Sequence, residues 1–320
     1  MTSGILDWRA TPPAIFPPLL GLFGVGFAWM RLHQAVAAPS WIGVVFLVTA
    51  SGLFALSFVQ YGRKLLARPG VVMDDLAVIP ARAAVAAMTV CLMLAAQCMM
   101  YLSQSLAAPM LFLAMAAHVV VAAIVVASLF QPGQKGRRLS PVLHLPFVGL
   151  IVGMQSAIAL GATTLGGVVV WISGVGAVVI WIGGLRLLVA GHIPLPLRPP
   201  QVIHIAPLAL LGMVAHLLDY QLLYLACLYA SLPVLALLLG SVRWLAAGGL
   251  SPTWAAFIFP LAATASLHLL AFGNGQGWLF LLTGLALLAL TTVLGPIVTR
   301  FVFKAWHAGG LVEKSGAARA

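Results

Sequence analysis

Ten long hydrophobic stretches, separated by short connections, occupy most of this chain. They cover residues 14–36, 40–62, 80–105, 108–130, 142–164, 167–190, 202–219, 221–246, 252–273 and 277–303. A helix needs about 20 apolar residues to cross the hydrocarbon core of a bilayer. Only 7% of the residues are charged, compared with roughly 25% in soluble domains. The stretches lack the alternation of a lipid-facing barrel strand, so the sequence predicts an all-α integral membrane protein with ten transmembrane helices.

The connections between these spans are of two alternating kinds. Those after odd-numbered spans are short and almost uncharged, whereas those after even-numbered spans are longer and basic. The basic positions include Arg63, Lys64, Arg68, Lys135, Arg137, Arg138, Arg198 and Arg243, and of all Lys and Arg residues only Arg31 falls at the opposite face. The positive-inside rule therefore predicts that both termini lie in the cytoplasm and that five hairpins point outward. We expect the protein in the inner (plasma) membrane of a bacterium. Since these loops explain the net charge of +11, we expect no nucleic-acid partner.

We expect one transmembrane domain over residues 1–320. Residues 1–13 are predicted to form a cytoplasmic N-terminal segment, 14–306 the ten-helix domain, and 307–320 a polar, mobile cytoplasmic tail. The three cysteines, Cys91, Cys98 and Cys227, all lie inside apolar spans. We therefore predict small packing residues there, with neither a disulfide framework nor a metal site.

Prolines recur in similar apolar surroundings on several odd-numbered spans. The segments are Ile15-Phe16-Pro17-Pro18, His144-Leu145-Pro146-Phe147, Ile205-Ala206-Pro207-Leu208 and Phe257-Ile258-Phe259-Pro260. Each proline removes a backbone donor and disrupts the helix before it. Irregular backbone at membrane depth is tolerated only inside protein or beside a water-filled cavity. The repetition therefore predicts hairpins arranged around a common lumen, with the odd spans broken where they face it.

The predicted lumen is poor in negative charge. Asp7, Asp74, Asp75, Asp219 and Glu313 are all the carboxylates of the chain, and none falls at the centre of a span. A lumen without acidic groups that opens on a basic face favours anions. The missing mid-membrane carboxylate also favours passive flow over ion-coupled transport. Phe259, beside Pro260, is predicted to form an apolar constriction, and Phe16, in the same relation to Pro17, is predicted to face it.

In-span histidines leave two alternatives open. His118, His144, His204, His216 and His268 lie on five different spans. They allow a membrane haem or metal protein, although no two are spaced as ligands on one helix. They also allow a proton-coupled anion or drug exporter that uses His144 or His268. The sequence contains neither a phosphate-binding loop nor a nucleophile elbow, so we expect no enzymatic activity and no cofactor.

The proline-containing spans resemble those of the tellurite-resistance/C4-dicarboxylate transporter family, which includes bacterial TehA-type channels, plant slow anion channels and fungal sulfite and malate exporters. The similarity lies in Ile15 to Leu22 with Gly26 to Trp29, in Ser140 to Gly161, in Ile205 to Pro207, and in Trp254 to Ala262. It implies five helical hairpins around a quasi-fivefold central pore, commonly in a homotrimer.

The resemblance also implies roles for particular residues. A phenylalanine of the ninth span occludes the pore in this family, and Phe259 is the matching position. The pore lining is then expected near Pro17, Pro18, Thr89, Pro146, Phe147, Pro207 and Pro260. Tellurite, C4-dicarboxylates, sulfite, nitrate and chloride are the candidate cargoes. Span 3 departs from the pattern, because Val90 and Cys91 stand where bacterial members have a mid-helix proline, and the double proline Pro17-Pro18 is also unusual.

Overall fold

A computed structural model describes residues 7–130, 139–191 and 193–319, and within these ranges it is helical without strands. Its ten candidate membrane spans are Pro13–Val36, Ser40–Ala67, Ile79–Met99, Gln104–Phe130, Pro141–Ala159, Thr163–Val189, Leu195–Leu217, Gln221–Gly240, Pro252–Gly273 and Trp278–His307, which we call spans 1 to 10. Shorter helices cover Trp8–Ala10, Val71–Ala77, Val242–Leu245 and Gly310–Ser315. The predicted basic positions Lys135, Arg137 and Arg138 lie outside the described residues.

The all-α class and the ten spans are therefore confirmed, with differences at some ends. Span 3 ends at Met99 and span 5 at Ala159, several residues before the predicted boundaries. Span 5 stops because tight turns follow it: Gly161 has a left-handed backbone at φ +92°, which no helix continues through. Span 7 begins earlier than predicted, in the 3₁₀ turns Leu195–Leu197 and Pro199–Ile205.

Odd-numbered and even-numbered spans occupy different layers. In an apolar stretch of 18 residues from each odd span, between 67% and 83% is buried, compared with only 28% to 39% in the corresponding stretch of each even span. Spans 1 and 3, 3 and 5, 5 and 7, 7 and 9, and 9 and 1 are in contact, so the odd spans form a closed ring. Each even span packs outside the ring against the odd span that precedes it. Its exposed side chains, such as Leu113, Ile172 and Leu237, are large and apolar, as a lipid-facing surface requires.

Two of the four predicted prolines open helices, and none of the four breaks a helix at its own position, which corrects the prediction of mid-helix interruptions. Pro17 and Pro207 lie in the first turn of their α-helices, after 3₁₀ turns. The first turn tolerates proline because its N–H groups have no partner within the helix. Span 5 alone is interrupted, between Val148 and Leu150. Pro260 lies inside a helix that continues through it from Ala255 to Gly273.

A buried ion pair ties the two ends of the chain to span 2. Lys64 Nζ lies 3.1 Å from Asp75 Oδ2, and both side chains are completely buried. Tyr61 donates its hydroxyl hydrogen to the same carboxylate oxygen at 2.9 Å, and Lys64 also donates to the Thr11 carbonyl at 3.1 Å. The backbone N–H of Ala318 donates to Asp75 Oδ1 at 2.9 Å. Asp75 thus accepts hydrogen bonds both from span 2, through Tyr61 and Lys64, and from the C-terminal part of the chain, through Ala318.

The same network corrects the prediction of a mobile tail. Residues Gly310–Ser315 form a helix, and its Leu311 and Val312 side chains are buried. Arg68 donates to the Arg319 carbonyl and forms an exposed salt bridge with Asp74. The tail is therefore held by apolar burial together with hydrogen bonds, although its composition is largely small and polar.

Neutralising the buried carboxylate is expected to destabilise the protein strongly. Asp75→Asn leaves the Lys64 ammonium buried without a counter-charge, which typically costs about 3–5 kcal/mol. The adjacent variant Asp74→Asn is the matched control, because its salt bridge is half exposed and contributes less than about 1 kcal/mol. Thermal unfolding in detergent measures both variants. Equal unfolding temperatures for the two would contradict a structural role for the buried pair.

Candidate functional site

The ring of odd spans opens on one side into a wide apolar cavity of about 690 Å³, which we call the vestibule. All five odd spans line it, for example through Pro17, Pro80, Val142, Ile203 and Pro260. It lies on the face that carries the longer connections and both described ends of the chain, here called the basic face. Among the described residues, none of those that line the vestibule is charged.

A smaller cavity of about 100 Å³, which we call the cup, lies toward the opposite face, where the short turns join each odd span to the next span. We call that the hairpin face. All five odd spans line the cup as well, and three of its polar side chains are amides: Gln34, Gln97 and Gln155. Arg31 is the one charged residue among the described residues that line it.

Phe259 lies between the two cavities. It lines the vestibule, the cup and a third space of only about 10 Å³ beside spans 3, 5 and 7. On span 1 the vestibule reaches Leu20 and the cup begins at Gly24, one helical turn further on. On span 7 the vestibule reaches Ala206 and the cup begins at Leu210. The phenylalanine ring therefore lies where the two linings meet on spans 1, 7 and 9, whereas on spans 3 and 5 the two linings are about two to three helical turns apart.

Gly24 makes room for this ring. A Cβ at position 24 would lie 2.9 Å from Cδ2 of Phe259, closer than real Cβ contacts allow. The phenylalanine itself is almost completely buried, with 6% of its surface exposed. Span 1 thus provides the flat surface against which the ring of span 9 lies.

The structure brings only some of the predicted site residues together. Phe259, Pro17, Pro207 and Pro260 line the cavities, whereas Phe16, Pro18, Thr89, Pro146 and Phe147 line none of the three. The ring of Phe16 contacts Phe54 and Tyr61 of span 2, with centroids 6.1 and 5.6 Å away. It therefore points out of the ring of odd spans, and its position does not place it with Phe259.

Thr89 and its neighbour on span 4 form a separate buried contact. The Thr89 hydroxyl lies 2.8 Å from the Ala86 carbonyl and 2.7 Å from Nδ1 of His118. The predicted residue thus links spans 3 and 4 and faces away from the cavities. Phe147 likewise packs with the apolar cluster around Leu76, Val85 and Leu143.

The in-span histidines are dispersed among separate contacts. Only His144 and His204 contact each other, with Nε2 and Nδ1 3.0 Å apart. His268 lies between Ser231 and Thr283, each at 2.8 Å. Within the part of the chain that the structure describes, no three His, Cys, Asp or Glu side chains come close enough to hold a metal ion. His144 also lines the smallest of the three cavities, next to Phe259.

The odd spans present their helix N-termini to the vestibule. In the helices that start at Phe16, Ile79, Ala206 and Ala255, and in the 3₁₀ turn at Pro141, no carboxylate lies in the first turn and no side chain caps the end. Each α-helix N-terminus carries a partial positive charge equivalent to about half an elementary charge. The vestibule therefore lies in a positive field although its walls are apolar.

Sequence reasoning missed the residues that shape the cup. Gly24, Gln97 and Gln155 lie on different spans, and no single-span pattern distinguishes them from ordinary polar or packing residues. The sequence does contain one signal: all three residues fall on odd spans, which are the spans predicted to line the lumen.

An integral membrane protein with a closed ring of inner helices, and with two cavities separated by one aromatic side chain, has the organisation of a transport protein. The family comparison agrees with this class. The model of the voltage-dependent anion channel family (SLAC1) matches residues 10–304. The chain belongs to that family, and it is accordingly an anion channel or transporter of the membrane. A search of curated proteins found no match.

Side-chain accessibility tests the vestibule directly. In a background with Cys91, Cys98 and Cys227 replaced by alanine, a membrane-impermeant thiol reagent is expected to modify Ala256→Cys, because Ala256 lines the vestibule. Ala265→Cys on the same helix is the control, since Ala265 is completely buried. Equal labelling of the two cysteines would show that the vestibule is not open to water as described.

Proposed function

We propose that anions cross the membrane through the ring of odd spans, from the vestibule past Phe259 to the cup. The observation that supports this most is that both cavities are lined by all five odd spans and meet at one side chain. Even spans, which face outward, contribute little to the described lining. A route inside the ring lets backbone groups near the helix starts face water without exposure to lipid.

The selection of anions follows from the field of the backbone and of the loops. Several helix N-termini converge on an apolar vestibule that lacks carboxylates among its described lining residues. In a space of low dielectric constant, oriented backbone dipoles act on an ion more strongly than they do in bulk water. The Lys and Arg residues of the same face raise the local anion concentration further. A cation meets no compensating carboxylate among the described residues that line this route.

Phe259 is the proposed constriction. An anion that passes its level must exchange its hydration shell for contact with an apolar ring, which is costly. The ring is held against Gly24, so widening the passage requires it to rotate away from span 1. This arrangement suits a gate, because one side-chain movement joins the vestibule to the cup. Phe16 is not included in the proposed gate, since its ring packs against span 2.

The orientation, the assembly and the cargo complete the proposal. The basic face is assigned to the cytoplasm of a bacterial inner membrane, which places both termini there. The assembly is proposed to be a homotrimer with its outer apolar surface in lipid. Tellurite, C4-dicarboxylate, sulfite, nitrate and chloride form the candidate set of anions. Mass measurement of the protein in native-like lipid particles tests the trimer.

Phe259→Ala is expected to raise anion conductance by about tenfold or more, equivalent to removing roughly 1.4 kcal/mol from the barrier. Phe257→Ala is the matched control: it removes the same ring two residues away, where the side chain contacts Trp254 and lines none of the three cavities. Currents through reconstituted protein, recorded with substituted anions, measure both. Unchanged conductance in Phe259→Ala at normal expression would remove Phe259 from the gate.

Proton coupling is the second candidate, because His144 lines the space beside Phe259 and contacts His204. The same recordings, made at two pH values on one side, separate the candidates. A passive pore keeps the reversal potential set by the anion gradient, whereas coupled movement of protons shifts it with pH. His268 is enclosed by Ser231 and Thr283 and is not part of this candidate.

A further inference from the structure

We propose that the cup is a binding site for one small, singly charged oxyanion, held by Arg31 together with the side-chain amides of Gln97 and Gln155. The inference deepens the proposed function, since it gives the anion route a selective station on the hairpin face, but the binding itself does not depend on conduction.

Arg31 is unusual in both position and surroundings. It is the one Lys or Arg that the order of spans places at the hairpin face, and it lines the cup. Its Nη1 donates to Gln34 Oε1 at 2.8 Å. Neither salt bridge in the described part of the chain involves it. A guanidinium carries five N–H donors, so most of its donors are left for a ligand.

Two further donors line the same space. Gln97 of span 3 and Gln155 of span 5 both line the cup. Within the described residues, neither side-chain amide forms a hydrogen bond to another protein group. Amide N–H₂ groups that face a cavity without a protein partner can bind water or the oxygen atoms of an anion. Three donor groups from three different spans thus surround one small volume.

The size and charge of the cup define the class of ligand. Its volume is about 100 Å³, well above the roughly 10–15 Å³ that a cavity needs to hold one water molecule. A planar guanidinium fork binds two oxygen atoms of an oxyanion or carboxylate side by side. One positive charge, with no second cation among the described lining residues, balances one negative charge. A nitrate-sized monoanion fits these conditions, whereas a C4-dicarboxylate brings a second charge that lacks a partner.

The apolar end of the cup gives a reason for an oxyanion to bind at Arg31 before it passes Phe259. Phe259, Gly24 and Leu210 form the apolar end of the cup, toward the vestibule. An oxyanion can therefore be stabilised at Arg31 before it meets the constriction. Binding strong enough to recruit ions but made by few contacts is the condition for conduction.

The test measures nitrate binding and current separately. Nitrate is titrated into purified protein at constant ionic strength, with gluconate as the replaced anion, and the rise in unfolding temperature gives the dissociation constant. Loss of a charge-assisted contact in Arg31→Gln is expected to weaken nitrate binding by about tenfold or more. Gln155→Leu is expected to weaken it less, and Arg31→Lys to restore part of the affinity lost in Arg31→Gln.

Arg9→Gln is the matched control, because it removes one exposed arginine from the basic face and should leave nitrate binding unchanged. Succinate is expected to compete weakly with nitrate. Equal nitrate affinity in the wild type and Arg31→Gln overturns the inference, as does an equal loss in Arg9→Gln. Should Arg31→Gln fail to fold, Gln155→Leu and Arg31→Lys carry the same comparison, and unchanged affinity in both overturns it.

Currents distinguish this inference from the proposed function. At low nitrate on the hairpin face, Arg31→Gln is expected to conduct less than the wild type, with the difference vanishing at high nitrate. Currents that persist without any effect of Arg31→Gln contradict the binding site and leave the anion route intact. Nitrate binding that needs Arg31, in a protein that passes no anion current, contradicts the route and leaves the site intact.

Discussion

The close approach of span 1 to span 9 determines the rest of this architecture, because the ring of odd helices closes there. A Cβ at Gly21 would lie 2.6 Å from Cβ of Ile258, so only glycine allows this separation of the two backbones. One turn further, Gly24 receives the ring of Phe259. In a membrane, helices associate through tight packing and not through exclusion of water, and small residues make that packing possible. The same contact thus closes the ring and positions the side chain that separates its two cavities.

Backbone polarity explains why the ten spans could be predicted so closely from sequence. Each span must satisfy its own hydrogen bonds in lipid, and long apolar stretches leave few alternatives to a helix. The prolines were a less reliable guide, since a proline in the first helical turn and one in the interior look alike in sequence. Pro17 and Pro207 open helices, whereas Pro260 is carried inside one. Proline position therefore identified the right spans but not the right local geometry.

The sequence does not show toward which neighbours a side chain points, and this limited the prediction of the site residues. Phe16 and Phe259 both precede a proline, yet one ring packs on span 2 and the other lies between the cavities. The difference depends on helix rotation within the ring, which is set by contacts between distant spans. The buried pair of Lys64 and Asp75 was unpredictable for the same reason, because its partners include Thr11 and Ala318 from the two ends of the chain. The residues of the cup, such as Gln155, come close together only when the five odd spans pack against one another.

The proposed mechanism assigns long-range attraction of anions to the vestibule and direct contacts with an anion to the cup. In the proposed mechanism, the vestibule attracts anions through helix ends and distant loops while its described walls remain uncharged, so that an ion is not held there by a specific partner. The cup has the opposite character, with one arginine and several amides in a small space. On the proposed route, an ion that moves between them passes the level of Phe259. Weak long-range attraction on one side and local contacts on the other suit a conduit that must also release its ions.

The central claim is that one closed ring encloses two water-accessible spaces divided at Phe259. Cysteines at Ala14 and Met30 of span 1, one in the vestibule and one in the cup, test it most directly in a background without native cysteines. A small impermeant thiol reagent applied to the hairpin face should label Met30→Cys but not Ala14→Cys, and adding Phe259→Ala should allow it to reach both. Labelling of both cysteines with Phe259 intact, or of Ala14→Cys in neither background, would contradict the account.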